Sequence, residues 1–141
     1  MRIVVADNAP IDPVAMYETF VDTIRTAQEK AAVWKGTTYL HASDDPFYSD
    51  TRLFPKCTIE LESMNKGRLS HQRLKYSRLV LILRALNTFL YEGRFWHDSV
   101  VEVEDTGLST RDKTIGTGSV LHSPDASLKG SGGLNTLSLE E

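Results

Sequence analysis

The sequence predicts an α+β fold: a two-layer sandwich with two helices on one face of a mostly antiparallel sheet. Three observations carry this. Apolar residues recur at helical spacing in two segments, residues 13–35 and roughly 75–92. Period-two alternation marks residues 57–62, 95–104 and 114–121. The segments interleave in the order (β)αβαββ, and helices meeting such a sheet bury both apolar surfaces in one core.

Taken in order, Ile3, Val4 and Val5 read as a short first strand over residues 2–6. Asp12 followed by Pro13 is a helix start, with Asp12 as N-cap and Pro13 in the first helical position. Met16, Phe20, Ile24, Ala27 and Ala31 then form one apolar face, widened by Tyr17 and Val21, and Gly36 ends the helix. Residues 37–55 read as irregular, broken by Pro46 and Pro55. A connection that long often carries function.

Cys57, Ile59 and Leu61 alternate with Thr58, Glu60 and Glu62, as in a half-buried strand. A second helix starts between Ser70 and Lys75 and runs to Glu92, closed by Gly93, with Leu79, Ile82, Leu83, Leu86 and Phe89 on one face. Val80, Leu81 and Leu90 are then left over. A helix this apolar is buried on more than one side, so either residues 37–55 cover the surplus or a second copy does. Residues 95–104 are the strongest strand, and residues 114–121 return as its hairpin partner. Residues 1–122 thus form a single domain, and 123–141, rich in Gly and Ser, are expected to be a flexible tail dispensable for folding.

Composition narrows the function classes. The chain has 141 residues, 40% hydrophobic and 25% charged, with a net charge of −3, which gives no electrostatic reason to expect nucleic acid or an anionic membrane surface. One cysteine, Cys57, excludes an internal disulfide framework. No apolar run reaches membrane-spanning length, and the apolar N-terminus stops at Asp7. The expectation is a cytoplasmic protein, or a secreted one if a leader has been removed.

No complete catalytic or cofactor motif stands out, and neither a metal nor a cofactor is expected. Gly116, Thr117 and Gly118 are half of a phosphate loop, without the third glycine or the following helix; strand glycines admitting a close neighbour are the plainer reading. The four histidines make no HxH or HxxxH pair. His97 shares the phase of Val101 and Val103, so it sits at the rim of the core, where an imidazole serves as a base or simply as a hydrogen-bonded side chain. Glu60, Glu62, Glu102 and Glu104 share one face if their strands are neighbours; a solvated outer face is the plainer reading. Cys57 shares the phase of Ile59 and is expected to be buried and inert. Trp96, in phase with Val100 and Glu102, suggests an aromatic contact on the outer sheet face. Lys66, Arg68, Arg73, Lys75, Arg78 and Arg84 cluster around the start of the second helix, as in an anion site, a solvated helix face or the partner of an acidic sheet.

Cys57 to Leu61, Leu74, Lys75 and Tyr76 opening the long helix, Val101 to Glu104, and Ile115 to Val120 together resemble a loose group of small fungal proteins of unknown function, over about residues 55–121. The resemblance implies a fungal source and the α+β fold. It implies no activity, since the group has none assigned, and some of its members carry export leaders.

The leading expectation is a binding or protein-interaction domain, with self-association as one form of it and Trp96, Phe47, Arg68 and Arg73 as binding residues. The alternative is a cofactor-independent isomerase, cyclase or dehydratase acting on an apolar small molecule, with His97, Glu102, Tyr39 and Tyr48 as the acid/base groups. A closed apolar pocket around His97 would favour the enzyme; a solid core with an exposed aromatic patch would favour the binder.

Overall fold

The computed structural model describes residues 1–50, 56–67, 69–105 and 113–123. The expected tail beyond Ser123, residues 51–55 of the 37–55 connection, the 106–112 connection and Arg68 lie outside the described residues. Strands β1 (Arg2–Pro10), β2 (Phe47–Asp50), β3 (Lys56–Ser63), β4 (His97–Glu104) and β5 (Thr114–Ser123) form one antiparallel sheet in the order β1-β4-β5-β3-β2. Helices α1 (Pro13–Trp34) and α2 (Tyr76–Leu86) pack on one of its faces and against each other. This is the α+β class that the periodicity predicts. None of the described helices is long and apolar enough to cross a membrane.

Local chemistry explains the boundaries. The Asp12 carboxylate accepts the Ala15 N–H at 3.0 Å, satisfying one of the donors left over in the first turn, and Pro13 occupies the position where its missing N–H costs nothing. The helix ends at Trp34, with Lys35 at φ 64°. Gly36 matters for closeness: a Cβ there would lie 3.0 Å from Ser77 Cβ, so its absence lets the chain leaving α1 run against the first turn of α2.

The core gathers the inward positions of the alternating strands. Cys57, Ile59, Leu61, Val101, Val103 and Val120 meet Met16, Phe20 and Ala27 of α1 and Leu79, Ile82, Leu83 and Leu86 of α2. Gly118 lies beside β3 so tightly that a Cβ would stand 2.4 Å from both the Glu60 carbonyl oxygen and Leu61 Cδ2. The glycines of residues 116–118 belong to strand packing.

Three expectations change. The second helix starts at Tyr76, and its last turn, Asn87–Glu92, is π-helical. Leu90, four residues after Leu86 and seven after Leu83, lies in the core, and Phe89 lies outside, stacked on Phe95 with ring centroids 4.9 Å apart. Residues 37–50 do not spread over the surplus apolar positions of α2. They form an antiparallel bridge (Tyr39 with Lys75), a short 3₁₀ turn (Ala42–Asp44) and the edge strand β2. Finally, β4 starts at His97, so alternation does not reach Trp96. That indole packs on the helix side, half-buried against the core, and its N–H donates to the Tyr91 carbonyl at 2.9 Å.

Candidate functional site

The start of α2 is held by segment 36–41, and this pairing builds the most distinctive polar region of the molecule. Leu40 N–H donates to Leu74 O, Tyr76 N–H to Thr38 O and Ser77 N–H to Gly36 O, at 2.9–3.1 Å. Behind this ladder lies a buried network. The fully buried Tyr76 hydroxyl donates to Asp44 Oδ2 at 2.6 Å and accepts the His41 N–H at 3.1 Å, while Lys30 Nζ lies 2.8 Å from Asp44 Oδ1. Burial alone would raise the Asp44 pKa, but the hydrogen bonds from Lys30 and Tyr76 outweigh it and hold the carboxyl below its usual value. Burial, with Asp44 beside it, pushes the Tyr76 phenol up to about 12. Asp45 accepts the Ser63 N–H at 2.9 Å, and Ser63 Oγ in turn accepts the Leu74 N–H, tying β3 to the same corner.

In front of the ladder is a cleft of about 510 Å³. Tyr39 forms its floor. The Arg73 guanidinium lies 4.5 Å and the Lys75 ammonium 5.3 Å from the centre of that ring, both within cation–π range. His71, Ser77 and Arg78 line the walls, and Arg78 reaches Asp105 at 3.6 Å. Leu81 closes one end and continues into an apolar stripe on the exposed face of α2. Ala85, Thr88 and Phe89, with Phe95 and Gly93 beside them, line a second, shallow groove of about 550 Å³. Leu81 is 60% exposed, Phe89 41% and Phe95 45%.

The opposite face of the sheet carries an open groove of about 530 Å³ lined by Arg2, Val4, Glu60, Glu62, Val100, Glu102, Thr117 and Ser119. The carboxylates do not gather as a cluster, because β5 separates β3 from β4. The register sets Glu62, Thr117 and Glu102 in one row, so the two carboxylates stand about two strand spacings, roughly 10 Å, apart. Glu102 pairs with Arg2 at 3.4 Å and Glu62 with Lys66 at 2.7 Å. Among the described residues no group of three or more His, Cys, Asp or Glu side chains could hold a metal ion.

A further pair escaped the sequence reading. Asp98, completely buried, accepts the His122 N–H at 2.7 Å, and its carboxylate oxygens lie 2.8 and 2.9 Å from His122 Nδ1. His122 lies opposite Cys57 in the register of β5 and β3. Burial drives the Cys57 thiol up to about 12, with Asp98 adding to the rise against a hydrogen bond with Thr19.

Among the other expected site residues, Phe47 is buried opposite Leu61, since pairing of β2 with β3 turns it inward and leaves Tyr48 exposed opposite Glu60. His97 is half-buried opposite Pro10 at the start of β4 and lines none of the three grooves. Tyr48 on an edge strand, Glu102 one strand inward from the other edge, and Tyr39 in the cationic cleft are not brought together. Tyr39 and Arg73 do meet, and with them Lys75 and Arg78 of the predicted basic patch; Arg68 lies outside the described residues. No family model, curated protein or solved structure matches the chain.

Proposed function

We propose that this chain is a binding domain that engages a protein partner through the exposed face of α2. One observation carries the reading. Leu81, Ala85 and Phe89 recur at helical spacing on that face, and Phe89 stacks on Phe95 in solvent instead of joining a core that is already filled. Large apolar residues gathered in one stripe mark contact surfaces more often than scattered ones do, and aromatic anchors dominate the energetics of such contacts. A second copy of the chain is the first partner to test, since two-fold contacts are the commonest way to bury a self-complementary patch.

Sedimentation across the micromolar range, run on the wild type and on Phe89→Ser, reads the second copy directly: a dimer that disappears in the variant identifies it. If both are monomeric, peptides selected from a displayed library on the wild-type chain should bind Phe89→Ser at least about tenfold more weakly. Equal binding to both proteins removes the α2 face as the interaction surface.

A second reading, acid/base catalysis on a small apolar molecule, has one observation in its favour, the Asp98–His122 pair. A buried carboxylate on Nδ1 fixes the ring orientation and tautomer and leaves Nε2 as the basic nitrogen, the arrangement that general-base histidines use. Proton abstraction from benzisoxazole is a generic test. Turnover lost in both His122→Ala and Asp98→Asn supports this reading; a wild-type rate no faster than free imidazole sinks it.

A further inference from the structure

We infer that a second copy of this chain docks along β1, joining the two sheets edge to edge and setting the two α2 faces against each other across a two-fold axis. This rests on the reading of the α2 face as a contact surface and names its partner. Three observations converge on it. The first is an open strand edge. Among the described residues β1 pairs with β4 alone, and the register runs unbroken over Arg2, Ile3, Val4 and Val5 before the irregularity that ends at Pro10. An edge strand presents a row of backbone donors and acceptors that a further strand satisfies. Proline and inward-pointing charge are the usual ways to blunt such an edge, and these four residues have neither. Arg2, the one charged residue among them, is turned to the outer face of the sheet, where it meets Glu102.

The second observation is the direction in which the apolar face of α2 points. α1 packs over β3 and β2, and α2 lies beside it, with Leu74 against Gly116 of β5 and Arg78 reaching Asp105 just past β4. α2 therefore sits on the β1 side of α1. Tyr91 meets Tyr17 of α1, with ring centroids 5.2 Å apart, and Phe89, two residues away, lies roughly half a turn round the helix from it. The stripe of Leu81, Ala85 and Phe89 thus faces away from α1, toward the edge that β1 forms. On that same side Ile3 and Val5 turn to the helix layer, pack against the core and remain only half-buried. The third observation is symmetry. Antiparallel pairing of β1 with its own copy sets the two-fold axis perpendicular to the sheet, so both helix layers stay on one side and each α2 flank meets the other. Two registers centred inside Arg2–Val5 keep Ile3 and Val5 on the helix side, one with Ile3 and one with Val4 on the axis. In both, Arg2 avoids its own copy, so no like charges stand opposite. Four paired residues bury far less than the roughly 800 Å² per partner of a standard interface, and the α2 stripes with Phe95 supply the remainder. A partner of unrelated sequence would have to match a strand edge and a helix flank at once; a second copy matches both by construction.

The test is sedimentation of the full chain across the micromolar range, with variants that separate the edge from the helix. Consecutive N–H groups of a strand point to opposite sides, so of Ile3→Pro and Val4→Pro one breaks a bond to β4 and the other removes only an outward donor. A wild-type dimer is expected. The proline variant that keeps the wild-type near-UV circular dichroism should dissociate at a concentration at least about tenfold higher, and so should Phe89→Ser. If neither proline variant folds, Ile3→Cys and Val4→Cys read the same contact. Under mild oxidation one of them should give a disulfide-linked dimer that the wild type, whose Cys57 is buried, does not give. A dimer lost in Phe89→Ser but kept in the folded proline variant, or one that links through neither cysteine, overturns the edge contact and leaves the α2 reading standing. A wild type that is monomeric at every concentration overturns it as well, and the peptide selection with Phe89→Ser then decides the α2 face alone. A dimer that appears only after deletion of residues 124–141 assigns the edge to the chain's own C-terminus and overturns the inference for the full chain.

Discussion

Replacing Leu90 and Phe89 in turn by alanine tests which of the two faces the core at the end of α2. The two residues are adjacent, but Leu90, about three helical turns beyond Leu79, continues the buried face, whereas Phe89 sits about 100° around from it. The structure puts Leu90 there: Leu90 is fully buried, whereas Phe89 is 41% exposed and touches Phe95. Leu90→Ala removes three buried carbons, about 2.4 kcal/mol at roughly 0.8 kcal/mol each. The cavity left among rigid neighbours adds to this, for a total of about 3–4 kcal/mol. Phe89→Ala loses a partly exposed ring stack, about 1 kcal/mol. For a domain of this size each kcal/mol moves the thermal midpoint by about 3–5 °C. Leu90→Ala should therefore melt about 10–15 °C below the wild type and Phe89→Ala within about 5 °C of it. Urea unfolding followed by far-UV circular dichroism gives the same quantities with a check on the slope. Equal losses at the two positions, or a larger loss at Phe89, would mean that Leu90 is not the inward residue at the end of α2, and the argument for an exposed aromatic pair would fall with it.

The remaining predictions concern the buried groups. Tyr76→Phe removes a donor to Asp44 and the acceptor of the His41 N–H, so it should cost about 1–3 kcal/mol at neutral pH. Because the Asp44 pKa is lowered in the fold, the carboxylate's contribution is complete above its unfolded value of about 3.9 and disappears as pH falls through the lower folded value. Urea midpoints should accordingly show the gap between wild type and Tyr76→Phe narrowing below about pH 4, and a constant gap down to acid unfolding would contradict this. Cys57, with its thiol pushed up by burial, should react with a disulfide reagent only as fast as the protein opens, so mixing under native conditions should give no burst and urea should accelerate labelling. Gly118→Ala should cost about 1–3 kcal/mol or more, because the added carbon meets the Glu60 carbonyl, a backbone atom that moves only if β3 and β5 part. Gly67→Ala, which meets only the Asn65 side chain, should stay within about 0.5 kcal/mol of the wild type.

Much of the fold was written in local pattern. The Asp12–Pro13 start needs only neighbouring residues, and the alternation of Cys57, Ile59 and Leu61 needs only the period of a strand, so both were legible. Leu90 was legible too, at i+4 from Leu86 and i+7 from Leu83, and was passed over because Phe89 stands at i+3 from Leu86; the π turn after Leu86 was not legible, since the residues there suit an α-helix equally. β2 was hidden for a related reason: four residues are too few to display a period, and pairing with β3 is what makes them a strand. The candidate sites divide the same way. Arg73, Lys75 and Arg78 stood out as a run of cations, but Tyr39 became their platform only through a bridge between segments 36 residues apart in the chain. Asp98 and His122 are 24 residues apart, and the register of β4 against β5 decides that they meet.

The strand order has a consequence for the order of assembly on the ribosome. The central strand β5 and its neighbour β4 are made after β1, β2 and β3. Among the described residues β1 pairs with β4 alone, its register joining Ile3 to Val101, and β3 gains its inner neighbour only when Val120 arrives opposite Ile59. A nascent chain that has emerged through α2 thus holds one edge strand alone, a β2–β3 pair and two apolar helices, with no sheet centre to cover them. Closure is deferred until the β4–β5 hairpin is complete. Pairings that span so much of the chain fold slowly and leave sticky surface open meanwhile. A chain stalled just before residue 97 should therefore occupy holdase chaperones, whereas one released after residue 123 should not.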